Sequence, residues 1–169
     1  MIILNKKLEL ERYEMAFFAY VSSENFPWFY KTNGNYEHDL METSNLVDKE
    51  GVVKSNFFQP CKYILSKLCK KNNISIKHFY GGSFITLPPG VEHEPIRMDH
   101  VFDHHVFIMN ISEFTGNTYL FDDNNKPTQE IDSELFRAVI FKKTPYAFGY
   151  STPGERRIQL KMTFQAQNV

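Results

Sequence analysis

The sequence has little of what usually declares a function. It holds two cysteines, Cys61 and Cys69, and one tryptophan. The cysteines fall on a stretch with helical spacing, which sets them roughly 12 Å apart and beyond disulfide reach. Two buried thiols in a reducing compartment are expected, and with them a cytoplasmic location (a host cytoplasm or virion if the chain is viral). Excess charge of either sign is lacking: 19 Lys and Arg stand against 20 Asp and Glu, a formal charge of -1. That balance argues against a basic nucleic-acid binder and an acidic tail protein. The longest nearly apolar run, Met15 to Val21, falls far short of the roughly 20 residues of a membrane span. No charged-then-apolar leader opens the chain, so neither a signal peptide nor a membrane partner is expected. Repeats, low-complexity tracts and linkers are missing too. What is present is 169 residues, 42% hydrophobic and 15% aromatic, enough for one domain over 1–169 with a real core.

The apolar pattern changes character along the chain. Tyr13, Phe17, Tyr20 and Val21 fit one face of a helix within 12–24, and the stretch 31–55 reads as irregular. A second helix opens near Pro60, carries a stripe of Cys61, Ile64, Leu65, Leu68 and Cys69, and stops at Asn72-Asn73. Lys62, Lys67, Lys70 and Lys71 then read as its solvated face. After residue 73 the grammar is that of strands: Ile74–Tyr80, Ser83–Leu87, His105–Ile111, Thr118–Phe121, Leu135–Phe141 and Arg157–Phe164. Gly81-Gly82, Pro88-Pro89-Gly90, Thr115-Gly116-Asn117, Asp122 to Asn125 and Pro153-Gly154 supply the turns. A helical and irregular part, 1–73, thus precedes a β-sandwich core, 74–165. The class is mainly β with N-terminal helices packed on one sheet of a jelly roll. In the last strand Ile158, Leu160, Met162 and Phe164 alternate with Arg157, Gln159, Lys161 and Thr163. Period two sends the apolar set to a core and the polar set to water or a polar cavity.

Chemistry concentrates between Glu92 and His105. This segment holds four of the six histidines and four carboxylates, the ligand types of non-haem iron, manganese or zinc. On a strand, residues i and i+2 share a face, so His-x-Asp offers two ligands to one ion. The chain has no His-x-Asp or His-x-Glu. Asp99, His100, Asp103, His104 and His105 are the remaining candidates, and no histidine follows His105. Trp28 among Phe26, Phe29 and Tyr30 reads as core packing, and the lone His38 and His78 carry no assigned role.

Several segments, in order, resemble a known family. Phe26-Pro27-Trp28-Phe29-Tyr30 is similar to its Pro-Trp-aromatic opening. Ile108-Met109-Asn110, followed by Thr115-Gly116-Asn117-Thr118-Tyr119-Leu120-Phe121, resembles its strand–turn–strand. Phe136 to Phe141 resembles a further strand, and Ser151-Thr152-Pro153 with Arg156-Arg157-Ile158 its close. From Phe26 to Phe164 the chain resembles the short phage and bacterial relatives of the 2-oxoglutarate/Fe(II)-dependent dioxygenases, the prolyl-4-hydroxylase-like group. The resemblance implies a double-stranded β-helix (jelly roll, cupin-like) with a reaction pocket between its sheets. It implies iron held by His-x-Asp and a late histidine, and an arginine for the far carboxylate of 2-oxoglutarate.

Carried over position by position, the first two ligands fall on Arg97-Met98-Asp99, and the late histidine on Tyr146 or Ala147. Both imidazoles are replaced, and Arg97 would repel Fe(II) if it pointed inward. It could instead pair with Asp99 or, with Arg157 in the co-substrate position, bind an anion. The expectation is an oxygenase-fold protein without the iron triad and without a cofactor. It would be a binding, assembly or regulatory module, with a protein or a small anion as partner. The alternative is an active Fe(II)/2-oxoglutarate-dependent hydroxylase with displaced ligands, among them Asp99, His100 and His105. A third possibility is an unrelated β-sandwich.

Overall fold

The computed structural model describes residues 1–31, 40–42, 46–87, 96–149, 152 and 155–168. The elements run β1 (Ile2–Lys7), α1 (Arg12–Val21), β2 (Phe29–Lys31), β3 (Leu40–Glu42), α2 (Phe58–Lys71) and β4 (Ile74–Leu87). They continue with β5 (His105–Asn110), β6 (Thr118–Phe121), β7 (Pro127–Ile131), β8 (Arg137–Lys142), β9 (Tyr146–Phe148) and β10 (Arg157–Asn168). Seven strands form one antiparallel sheet in the order β1-β8-β5-β10-β4-β3-β2, and three form a second, β7-β6-β9. The architecture is the expected one: mainly β, a jelly roll with helices on one sheet.

Two cores flank the seven-stranded sheet. On one side Phe18 and Val21 of α1 and Cys61, Leu65 and Leu68 of α2 pack on Phe84, Phe107, Met109, Leu160 and Phe164. On the other, Ile85, Val106, Ile108, Val139 and Phe141 meet Leu120, Tyr146 and Phe148 of the smaller sheet. β10 lies between β4 and β5, and its period of two feeds both layers. Its apolar residues face the helices, and its polar residues face the space between the sheets. The thiols Cys61 and Cys69 are buried and unbridged, as their helical spacing requires.

α2 keeps its stripe of Cys61, Ile64, Leu65, Leu68 and Cys69, adds Phe58 one turn earlier, and caps at Asn72. Asn73 follows in the left-handed region, with φ of 55°. α1 is rotated from the expected face: Glu14, Phe18 and Val21 are its buried residues, while Tyr13 and Tyr20 are exposed. Glu14 tolerates burial because its carboxylate accepts from the Glu11 backbone N–H at 2.7 Å and from Lys67 at 3.3 Å. Lys67 therefore belongs to a helix–helix contact and not to a solvated face.

Gly81-Gly82 is not a turn; β4 runs through it from Ile74 to Leu87. A Cβ on Gly82 would come within 3.2 Å of Val47, so glycine here admits a neighbouring segment. The strand expected from Leu135 starts at Arg137, because Phe136 turns through φ 57° and donates its N–H to the Asn110 carbonyl. Residues 31–55 include the end of β2 and all of β3 rather than irregular chain alone, and β1 joins the major sheet by pairing with β8. The turns expected at Pro88-Pro89-Gly90 and Pro153-Gly154, together with His38, His93 and Ser151, lie outside the described residues.

Candidate functional site

The polar face of β10 forms a ladder between the sheets: Arg157, Gln159, Lys161 and Thr163, each with its own partner. Lys161 Nζ lies 2.7 Å from Asp99 Oδ1. The Tyr146 hydroxyl lies 3.0 and 2.9 Å from the two carboxylate oxygens of Asp99, and Lys161 Nζ is 3.3 Å from that hydroxyl. A short bridge holds the cluster in place. Arg97 N–H donates to the Tyr146 carbonyl and Tyr146 N–H to the Arg97 carbonyl, both at 2.9 Å. Of the two positions expected for a late histidine, Tyr146 is therefore the one at Asp99. Ala147 pairs with Tyr119 instead.

Charge and burial agree on the protonation of this cluster. Burial alone would raise the Asp99 carboxyl, but the Lys161 ammonium, the Tyr146 hydroxyl and Arg97 together hold it below the usual carboxylate range. Burial lowers Lys161, and Tyr146 and Asp99 more than reverse that, so its pKa is raised. Burial pushes the Tyr146 phenol up to about 12. At neutral pH the cluster is an ammonium–carboxylate pair with a neutral phenol donating to the carboxylate.

Four residues back along the same face, Arg157 is 1% exposed. Its Nη1 donates to the Gly149 carbonyl and its Nη2 to Thr118 Oγ1 at 2.9 Å. Gly149 has no room for a side chain: a Cβ would meet the Asn117 carbonyl oxygen at 2.9 Å. That close approach brings the end of β9 onto β6. Arg157 stands over the rings of Phe114 and Phe148 at 4.5 and 4.9 Å, and its buried Nε has no hydrogen-bond partner among the described residues. The Arg97 guanidinium shares the Phe148 ring, 5.1 Å from its centroid. Burial, and then repulsion by Arg97, push the Arg157 pKa down to about 9, which leaves it charged at pH 7. The hydrogen-bond partners found for this buried cation are neutral oxygens, a costly arrangement that an anion would relieve.

The three residues expected to hold a metal have different surroundings. Asp99 is engaged by Lys161 and Tyr146. His100 Nε2 lies 3.3 Å from Thr163 Oγ1, one rung beyond Lys161, and its ring stacks on Phe102 at 4.7 Å. His105 pairs with Phe164 in register and stacks on its ring at 5.5 Å, on the helix side of the sheet. Period two puts that side opposite Lys161. Among the described residues no group of three His, Cys, Asp or Glu side chains could hold a metal ion.

Neither a protein-family model nor a curated protein matches the sequence. Solved structures do match. One is a 2OG-Fe(II) oxygenase family oxidoreductase from Burkholderia pseudomallei, with TM-score 0.64 and 10% identity, covering 97% of this chain and 86% of that one. The chain has the 2OG-Fe(II) oxygenase fold. A Pseudomonas putida prolyl-4-hydroxylase matches with TM-score 0.60 and 11% identity over 98% of this chain and 92% of that one. A Trichoplax adhaerens prolyl hydroxylase, in complex with a hypoxia inducible factor oxygen degradation domain peptide fragment, gives TM-score 0.53 at 11% identity. It covers 90% of this chain and 74% of the hydroxylase.

On this oxygenase fold, the donors around Asp99 do not suit ferrous iron. Fe(II) in such folds wants imidazoles and a carboxylate on one face. Asp99 instead meets an ammonium and a phenol, with a guanidinium close by. A divalent cation there would have to displace Lys161 from 2.7 Å. Lys161 and Thr118 were not singled out by the sequence. For Lys161 the signal was there, since i+4 on a strand shares the face of Arg157. Thr118 lay within the strand–turn–strand of the resemblance, with no role assigned to it.

Proposed function

We propose that this is an oxygenase-fold binding protein that holds a small carboxylate-bearing anion at Arg157 and performs no iron chemistry. The single observation behind this reading is the Lys161 ammonium at 2.7 Å from Asp99, with Tyr146 across the carboxylate. One resident positive charge takes the place a metal's charge would take, so Asp99 is neutralised without an ion. The anion site remains. Arg157 offers a preset guanidinium in a dry surrounding, where a planar carboxylate gains most from charge-assisted hydrogen bonds. Arg97, across the Phe148 ring, adds a second cation and favours ligands with more than one negative charge.

Purified protein, incubated anaerobically with ferrous iron and then desalted, tests the first half by metal analysis. Calorimetry with 2-oxoglutarate, glutarate and phosphate, each in the presence of a chelator, tests the second. The expected result is no stoichiometric iron, with metal-independent binding of a dicarboxylate weakened at least about tenfold (1.4 kcal/mol) by Arg157→Met. Stoichiometric iron that drives 2-oxoglutarate decarboxylation would establish the active hydroxylase instead.

A further inference from the structure

α2, the first half of β4 and, beside His78, Gly51 and Val53 line a cleft of 630 Å³ that shares no residue with the Arg157 site. Phe58, Lys62, Ser66 and Lys70 line it from the helix, and the run Ile74–Phe79 lines it from the strand. This part of β4 pairs with β10 along one edge only. On the other edge β3 reaches Ile85 and Thr86, and Val47 bridges to Gly82 before the chain turns back on itself at Val53. Among the described residues nothing pairs with that edge from Ile74 to Tyr80. Among those residues its outward N–H and C=O groups are left as a template for another strand.

The charge of the cleft is one-sided. Lys62, Lys70 and Lys77 line it, and no Asp or Glu does. None of the three belongs to an ion pair among the described residues; Lys62 only overlies the Phe58 ring at 6.0 Å. A bulge re-aims Lys77: Ala166 pairs with Ile76 and Gln165 with His78, which leaves Lys77 unpaired against β10.

We propose that this cleft docks an extended acidic segment of a partner protein. The segment adds as a strand along Ile74–Tyr80 with its carboxylates against Lys62, Lys70 and Lys77. An open strand edge beside a helix offers main-chain hydrogen bonds for affinity and side-chain pockets for specificity. The seven residues from Ile74 span roughly 20–24 Å, enough for a peptide of about seven residues. A single DNA strand would match the lysines, but its sugar–phosphate backbone has no donors for the edge carbonyls. A second copy of this chain would bring like charges together at Lys77.

Fluorescence anisotropy tests this with a labelled peptide of alternating glutamate and valine, about seven residues long. The controls are its lysine–valine counterpart, the same acidic peptide N-methylated at alternate amides, and a single-stranded oligonucleotide of equal charge. The acidic peptide is expected to bind at least about tenfold more tightly than every control. The combined variant Lys62→Glu, Lys70→Glu, Lys77→Glu is expected to lose that binding with its circular dichroism unchanged. Should the triple variant misfold, Lys77→Glu alone is expected to weaken binding several-fold. Equal binding of the N-methylated peptide overturns strand addition. Preference for the oligonucleotide, or sedimentation showing that the protein dimerises through this edge, overturns the acidic-peptide partner.

Discussion

The two faces of β10 obey different rules although they alternate residue by residue. Toward the helices, Ile158, Leu160, Met162 and Phe164 are buried among side chains that need only volume and apolarity. Toward the smaller sheet, Arg157, Gln159, Lys161 and Thr163 each meet a particular atom: Thr118 Oγ1, Asn110 Oδ1, Asp99 Oδ1 and His100 Nε2. Hydrophobic burial is non-directional, so the first face tolerates exchange of one apolar residue for another. Buried charge is directional and costly when a partner is lost, so the second face does not.

Four measurements would break or sharpen this contrast. Lys161→Met leaves Asp99 buried without its counter-charge and is expected to destabilise by about 3–5 kcal/mol in urea unfolding. Combining it with Asp99→Leu and Tyr146→Phe removes every polar member of the cluster, and most of that loss should return; if it does not, the cluster is not a closed unit. Leu160→Ala on the opposite face is expected to cost about 2–5 kcal/mol, but Leu160→Met only about 1 kcal/mol. If the volume-conserving change cost as much as Lys161→Met, the two faces would not differ in kind.

Acid should separate them next. The Asp99 pKa is lowered on folding, so its contribution is complete above the unfolded value of 3.8 and is lost as pH falls through the folded value. The stability gap between wild type and Lys161→Met should therefore narrow below about pH 4, while the gap for Leu160→Met stays level. The smallest effect belongs to His105. Burial and Lys142 lower its pKa. The unfolded chain then binds more protons than the folded one below 6.5, so stability falls with acidification in that window. His105→Phe keeps the stack on Phe164 and should flatten that part of the profile. An unchanged slope between pH 6.5 and 5 would show that His105 is not its source.

The legible parts of this protein were those fixed by period. α2 could be read from its stripe because one face of a helix meets one core, and the two-faced character of β10 from strict alternation. The face of α1 was misread because Glu14, a charged residue, is buried there and Tyr13 is not. Only the Lys67 contact and the backbone bond at Glu11 explain why. Gly81-Gly82 looked like a turn because nothing local tells a glycine pair that bends the chain from one that admits Val47 and Met162 against the strand. In the site, Arg97 beside Asp99 and the lack of histidine after residue 105 could be read from the sequence. The Asp99–Lys161 pair could not, because the two residues are far apart in sequence and meet only through tertiary pairing.

The order of residues alone thus determined a mainly β chain with two helices, buried thiols, a polar strand face and the lack of any histidine after residue 105. These follow from side-chain type and local spacing. The folded structure alone decided that Lys161 neutralises Asp99, that Tyr146 rather than Ala147 closes over it, and that Arg157 is buried against neutral oxygens. Charge pairing depends on distance in space, and in a jelly roll the strands that meet are seldom neighbours in the chain.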